Sequence, residues 1–269
     1  MTRISKKFQD LRAEGQKGFI AYITAGDPDL NTTRKLVLEF DRRGVDLVEV
    51  GVPFSDPIAD GPVNQEAAQR ALQHRVSLGG ILDMVGVLRR DSDLPVVLFT
   101  YFNPVLQYGL ERFANTVKRQ GVDGVLLLDV PPEEGAEYKQ IMDQIGLDTI
   151  FLIAPTTPDA RIRAICDWTS GFVYYVSRTG VTGERKTVAE SVGPKVRQIR
   201  QYTDKPIGVG FGISSPEQAL EVSGYADAVI VGSAIVRRIK EHIASPHLVS
   251  QVGEFVETLL APLKGERHG

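Results

Sequence analysis

The chain has 269 residues, of which 42% are hydrophobic and 24% are charged, a balance typical of a folded protein that excludes global disorder. With a net charge of −3 and no visible basic cluster, it lacks the positive surface that nucleic acid binding requires. It has a single cysteine, Cys166, no apparent secretory signal and no apolar run near the ~20 residues that span a bilayer. We therefore expect a cytoplasmic protein in a reducing compartment.

Eight short apolar runs alternate with amphipathic stretches of helical length, which is typical of a parallel sheet built from strand–helix units. The runs span residues 19–24, 47–50, 96–100, 124–128, 149–153, 172–176, 207–209 and 228–231. We predict an α/β fold consisting of a single (β/α)8 TIM barrel over residues 1–269, rather than an open doubly wound sheet. An extra N-terminal helix at 5–14 and a further helix at 246–263 are expected to pack around this barrel.

A weak internal repeat supports closure of the barrel. The tripeptides GVD at 44–46, GVD at 121–123, GLD at 146–148 and YAD at 225–227 each lead into a predicted strand. We interpret them as the same helix-to-strand turn, used four times.

The second predicted strand carries one carboxylate, Glu49. Alternation puts Glu49 on the same face as Leu47, aimed at either the barrel interior or the helix layer. A buried carboxylate has to be paired, hydrogen-bonded or protonated, and a raised pKa suits a general acid near neutral pH. We predict an acid–base residue, with a structural ion pair as the alternative.

A loop stiffened by three prolines and a glycine follows that strand at 53–62 and carries Asp56 and Asp60. Strand ends are where barrel enzymes place their sites, so these aspartates are candidates for positioned carboxylates. Each could equally be a turn residue or a helix cap, and the residues alone do not choose between them.

Glycines follow the sixth, seventh and eighth predicted strands, at 180–183, at 210–212 and at Gly232, which precedes Ser233 and a predicted helix. Glycine lets backbone N–H groups approach an anion, and a helix N-terminus adds unsatisfied donors, so we predict a phosphate site here. The alternative is tight-turn geometry alone. Tyr174, in the sixth strand, is either a hydroxyl of the site or an aromatic residue that packs in the sheet.

The placement of other reactive residues narrows the predicted chemistry. The four histidines and Cys166 fall outside the strand ends, so we predict no metal site. Lys17 and Lys205 precede their strands, which disfavours a lysine imine and covalently held pyridoxal phosphate in this chain. The chemistry that the residues still favour is acid–base catalysis by carboxylates on a phosphorylated small molecule.

Taken together, these motifs resemble the tryptophan synthase alpha chain family. The matching segments are 22–28 (YITAGDP), 49–57 (EVGVPFSDP), 59–62 (ADGP), 177–183 (SRTGVTG), 210–212 (GFG) and 232–234 (GSA). The resemblance implies a lyase of tryptophan biosynthesis that cleaves indole-3-glycerol phosphate into indole and glyceraldehyde 3-phosphate. It also implies that Glu49 is the acid–base residue, that Asp60 accepts the indole N–H, and that Tyr174 orients Glu49 or the substrate.

The resemblance further implies a substrate site and a mobile lid at about 179–189. The residues implied for the indole pocket are Tyr22, Phe99, Leu126, Leu152 and Phe211. Those implied for the phosphate site are Gly183, Gly212, Gly232 and Ser233.

By the same resemblance, the chain works in an alpha2beta2 complex and passes indole to a beta chain that carries pyridoxal phosphate, with no cofactor in this chain. The implied partner face consists of Asp56, Pro57, Asn103, Pro104, Asp129 and Pro131. Two alternatives stay open: a non-catalytic regulatory barrel that binds phosphorylated ligands, and a stand-alone indole-releasing lyase.

Overall fold

The strands of the barrel position the candidate site. The computed structural model describes residues 1–177, 192–210 and 212–264. Its strands are β1 (Gly18–Thr24), β2 (Leu47–Gly51), β3 (Val96–Thr100), β4 (Gly124–Leu127), β5 (Asp148–Ile150), β6 (Leu152–Ile153), β7 (Val173–Val176), β8 (Ile207–Gly210) and β9 (Ala228–Val231). All eight predicted runs form strands, and every pairing between them is parallel.

The sheet order is β5-β4-β3-β2-β1-β9-β8-β7-β6, so the two edges belong to one short segment, 148–153. This segment was predicted as a single strand, and the structure divides it at Phe151. Ile150 pairs with β4 before the break and Leu152 pairs with β7 after it. The segment therefore changes pairing partner at Phe151 and nearly closes the sheet into the predicted TIM barrel.

Helices surround the strands. They are α1 (Arg3–Ala13), α2 (Leu30–Arg42), α3 (Pro62–Gln73), α4 (Leu78–Leu88), α5 (Phe102–Tyr108), α6 (Leu110–Gln120), α7 (Ala136–Ile145), α8 (Asp159–Trp168), α9 (Gly193–Arg200), α10 (Pro216–Ser223), α11 (Ser233–Glu241) and α12 (Leu248–Leu260), with short 3-10 helices at Pro132–Glu134 and Ala261–Leu263. Both predicted extra helices, α1 and α12, are present. Within the described ranges, no helix is long and apolar enough to cross a membrane.

Two apolar layers follow from the alternation of side chains along each strand. One strand face, with Val48 and Val50 of β2, packs against the helices, and the other face, with Leu47 and Val97, fills the barrel interior. Phe8 of α1 belongs to the same interior cluster. The N-terminal helix therefore closes the bottom of the barrel.

The repeated Gly-Val-Asp turns have a common structural use. Their aspartates accept hydrogen bonds from backbone N–H groups at the start of neighbouring strands: Phe19 N to Asp46 at 2.8 Å, and Val96 N to Asp123 at 2.8 Å. Asp227 of the YAD turn accepts from Ile207 N at 2.7 Å. Each aspartate also pairs with a basic side chain. The repeat thus fixes the N-terminal end of the barrel.

Candidate active site

Glu49 lies in the barrel interior. It is in register with Tyr22 of β1 and Val97 of β3, and it shares the strand face of the interior residue Leu47. Its side chain is fully buried, and neither carboxylate oxygen has a hydrogen-bond partner among the described residues. Burial raises the pKa of Glu49 to about 8, and no cation among the described residues offsets it. The ion-pair alternative is therefore not realised in the described part of the chain.

The two loop aspartates that the sequence could not separate have different environments. Asp56 is exposed, and the Ser55 hydroxyl donates to its Oδ2 at 3.4 Å. Asp60 is half-buried, and the Tyr101 hydroxyl donates to its Oδ2 at 2.8 Å. Burial raises the pKa of Asp60, while hydrogen bonding from Tyr101 and Asn64 lowers it. Asp60 is the aspartate that belongs to the site.

A cavity of about 450 Å³ opens at the C-terminal ends of the strands. It brings together seven of the residues proposed from the sequence: Tyr22, Asp60, Phe99, Tyr174, Gly212, Gly232 and Ser233. Glu49 is not part of the lining. It lies beside the lining residue Tyr22, its register neighbour on β1. Its charge is one of the causes, after burial, that raise the pKa of both Tyr22 and Tyr174.

One wall of the cavity is aromatic. The rings of Tyr22 and Phe99 meet edge to face, with centroids 5.0 Å apart and an interplanar angle of 72°. Tyr22 fits because position 51 is glycine: a Cβ at Gly51 would lie 2.3 Å from the Tyr22 hydroxyl. The wall can therefore hold a flat, apolar ring.

Another part of the cavity lining suits an anion. Gly232 precedes α11, Ser233 is the first residue of that helix, and Gly212 has a positive φ of 63°. The helix N-terminus presents unsatisfied backbone donors and the positive end of its dipole. Arg237, one turn further along α11, also lines the cavity. A cavity that has both an aromatic wall and a cationic end can hold a ring compound that carries a phosphate.

Several predicted residues lie elsewhere. Leu126 and Leu152 pack in the interior cluster that also contacts Phe99, and neither lines the cavity. Gly183, Phe211 and the predicted lid at 179–189 lie outside the described residues.

Two residues of the site escaped the sequence analysis. Tyr101 follows the third strand directly, a position that could have flagged it as a strand-end hydroxyl. Arg237 sits four residues after Ser233, so helical spacing puts it near the predicted phosphate. A larger cavity, of about 760 Å³, lies between α1 and the turns before β7, β8 and β9, at the other end of the barrel. The site residues converge on the smaller one.

The six predicted partner-face residues lie on the segments that follow β2, β3 and β4, which are adjacent strands; Asn103 and Pro104, predicted in a loop, lie in the first turn of α5. The three polar members, Asp56, Asn103 and Asp129, are exposed, and Asp129 accepts a hydrogen bond from Phe102 N at 2.8 Å. Pro57, Pro104 and Pro131 are partly buried. The same rim carries Ile58, whose side chain is 87% exposed.

Known proteins match the chain over nearly its full length. A family model described as "Tryptophan synthase alpha chain" matches residues 8–261. The tryptophan synthase alpha chain of Geotalea uraniireducens is 49% identical over 264 residues, covering 98% of each chain. A crystal structure of tryptophan synthase subunit alpha from Legionella pneumophila has a TM-score of 0.91 at 36% identity, covering 98% of each chain. A chain from the tryptophan synthase a2b2 complex of Pyrococcus furiosus has a TM-score of 0.85 at 38% identity, covering 91% of this chain and 99% of that one.

Proposed function

The chain belongs to the tryptophan synthase alpha chain family, and on that premise we propose that Glu49 and Asp60 divide the acid–base work of its reaction. The reaction is that of the indole-3-glycerol-phosphate lyase subunit, which releases indole and glyceraldehyde 3-phosphate. One observation carries the proposal: Glu49 is buried without a partner among the described residues, with a pKa of about 8, whereas Asp60 lines the cavity and accepts a hydrogen bond.

The first step of the reaction requires a general acid. Cleavage of the bond between the indole ring and the glycerol chain needs a place for the bonding electrons. Protonation of the ring carbon that bears the chain creates that place, because the positive charge then rests on the ring nitrogen. Glu49 retains its proton at neutral pH and supplies it to this carbon.

The second step of the reaction requires a general base. The Glu49 carboxylate left by the first step accepts the proton of the hydroxyl on the neighbouring side-chain carbon. That oxygen becomes the aldehyde carbonyl, the carbon–carbon bond breaks, and its electron pair returns to the ring. Glu49 ends the cycle protonated, so a single carboxyl group serves both steps.

Asp60 has the complementary role. An ionised carboxylate at the cavity accepts the indole N–H and stabilises the positive charge that develops on nitrogen. Tyr22 and Phe99 provide the edge-to-face wall for the ring, and Tyr174 borders the ring pocket and Glu49.

The phosphate of the substrate is proposed to bind at the start of α11. Gly212, Gly232 and Ser233 offer backbone or hydroxyl donors, and Arg237 supplies the positive charge. Together with the aromatic wall, this end of the cavity suits a ring joined to a phosphorylated chain.

A beta chain is the proposed partner, in an alpha2beta2 complex, with pyridoxal phosphate held by that partner. The Pyrococcus furiosus relative comes from such an a2b2 complex. The rim formed by the segments that follow β2, β3 and β4 supports this proposal, because it combines rigid prolines, exposed polar groups and the exposed Ile58 beside the cavity mouth.

The test is release of indole from indole-3-glycerol phosphate by the purified chain, alone and with a tryptophan synthase beta chain. We expect slow release alone and faster release with the partner. Fast release without a partner would contradict the coupled complex, and no release in either condition would contradict the lyase assignment.

A further inference from the structure

The side chain of Tyr101 contacts both ends of the loop that carries Asp60. Its ring packs against Phe54 near the start of this loop, with centroids 5.1 Å apart. Its hydroxyl accepts a hydrogen bond from Ala59 N at 2.9 Å and donates to Asp60 Oδ2 at 2.8 Å. The ring is buried, with 3% exposure. One residue at the end of β3 thus holds the loop that follows β2.

The direction of this hydrogen-bond chain is determined. A backbone N–H can only donate, so the Tyr101 oxygen accepts from Ala59. The single phenolic hydrogen is then available for Asp60, and an ionised carboxylate can only accept. Burial and the neighbouring Asp60 charge raise the pKa of Tyr101, so its hydroxyl stays protonated and stays a donor.

We propose that Tyr101 is a positioning residue that acts through Asp60: its hydroxyl holds Asp60 as an oriented carboxylate and leaves Oδ1 for the N–H of the bound ring. This inference rests on the proposed function of Asp60. It assigns to Tyr101 a role in charge stabilisation, in addition to its packing role against Phe54.

The groups around Asp60 make this hydrogen bond significant. Asn64 lies on α3, Tyr22 and Tyr174 face the cavity from β1 and β7, and Arg237 lines it from α11. Behind the tyrosines lies Glu49, which is protonated at neutral pH. Burial raises the pKa of Asp60, and among the groups that lower this pKa the hydrogen bond from Tyr101 has the largest effect. Removing the hydroxyl should therefore raise the pKa of Asp60.

The experiment compares Tyr101→Phe, Asp60→Asn and the double variant. Phe keeps the contact with Phe54 and removes only the hydroxyl. We expect kcat/KM of Tyr101→Phe to fall about ten- to a hundredfold, the range for a hydrogen bond to a charged group. The acid limb of the pH profile should move to higher pH, while the basic limb, assigned to Glu49, stays in place. In the Asp60→Asn background, the same substitution should change kcat/KM less than about twofold.

A matched control is Tyr138→Phe, since the Tyr138 hydroxyl is buried without a hydrogen-bond partner in the described structure and lies outside the cavity. It should leave the pH profile unchanged. Incorporation of 3-fluorotyrosine at position 101 gives a probe of opposite sign, because a more acidic phenol donates more strongly and should move the acid limb to lower pH. This probe retains the ring and hydroxyl if Tyr101→Phe folds poorly.

The outcomes separate the inference from its premise. If Asp60→Asn has a strongly reduced but measurable kcat/KM, equal losses from Tyr101→Phe in both backgrounds, or an acid limb that neither variant at position 101 moves, would overturn the positioning role. If Asp60→Asn retains native kcat/KM, the proposed role of Asp60 fails, and the role of Tyr101 fails with it.

Discussion

Two buried carboxylates at opposite ends of the barrel, Asp123 and Glu49, have opposite environments. At the N-terminal end, Asp123 accepts from Val96 N at 2.8 Å and pairs with Arg89 at 2.6 Å and Arg3 at 3.0 Å. At the C-terminal end, Glu49 has no partner in the described structure. Pairing turns one carboxylate into a structural tie, whereas its absence leaves the other able to exchange a proton near neutral pH.

This contrast predicts that function and stability can be damaged separately. Substitution of Glu49 should lower activity and leave stability nearly intact. Substitution of Asp123 should do the reverse.

The largest effect is expected from Glu49→Gln. Glutamine keeps the shape of the side chain but carries no exchangeable acid proton, so indole release should fall about a thousandfold or more. Thermal unfolding should occur at or above the native temperature, because no partner is lost. An active Glu49→Gln enzyme would contradict the acid–base role of Glu49. A strongly destabilised one would contradict the contrast between the unpaired Glu49 and the paired Asp123.

Next in size is the effect of Asp123→Asn on stability. The change leaves the mostly buried Arg89 without its carboxylate, which costs about 3–5 kcal/mol for a buried pair. Urea unfolding followed by circular dichroism measures this, with kcat per folded molecule expected to stay native. Asp93→Asn is the matched control, since Asp93 also pairs with Arg3 but is 93% exposed, and it should change stability by less than about 1 kcal/mol.

The pH dependence of stability offers a third test. The folded pKa of Glu49 is about 8, above its ordinary value, so the unfolded chain releases this proton at lower pH than the folded chain. The stability contributed by the bound proton is therefore lost as pH rises towards 8. Glu49→Gln lacks this loss, so its stability relative to the native chain should rise by about 2 kcal/mol between pH 5 and pH 7. A constant difference over this range would refute the raised pKa.

The smallest effect concerns the anion end of the cavity. Arg237→Gln removes a positive charge from the anion end of the cavity, so KM should rise about tenfold with kcat nearly unchanged. The adjacent Arg238→Gln is the control, because Arg238 packs over Phe255 and pairs with Glu241 away from the cavity. Equal KM changes in the two variants would contradict the assignment of Arg237 to the proposed phosphate site.

Much of the fold was predictable from local pattern. Strands covered on both faces leave continuous apolar runs, and all eight runs form strands. The division at Phe151 was not predictable, because it depends on which neighbouring strand each half of the segment pairs with. The helix boundaries differ by one or two residues for α1 and, at its start, for α12, where local capping decides the ends.

The candidate site was only partly predictable, and the reason is distance along the chain. Glu49 is conspicuous because a carboxylate inside an apolar run is costly wherever that run is buried. Tyr101 contacts Asp60 from 41 residues away, and no periodicity connects the two positions.

The amino-acid sequence alone therefore determined the barrel, the buried carboxylate and the family, because apolar periodicity and motif spacing are local properties. Only the tertiary structure decided which carboxylates are paired, that Asp60 rather than Asp56 lines the cavity, that Arg237 joins this lining, and that Tyr101 donates to Asp60. Those facts depend on burial and hydrogen bonding between strands that meet only when the barrel closes.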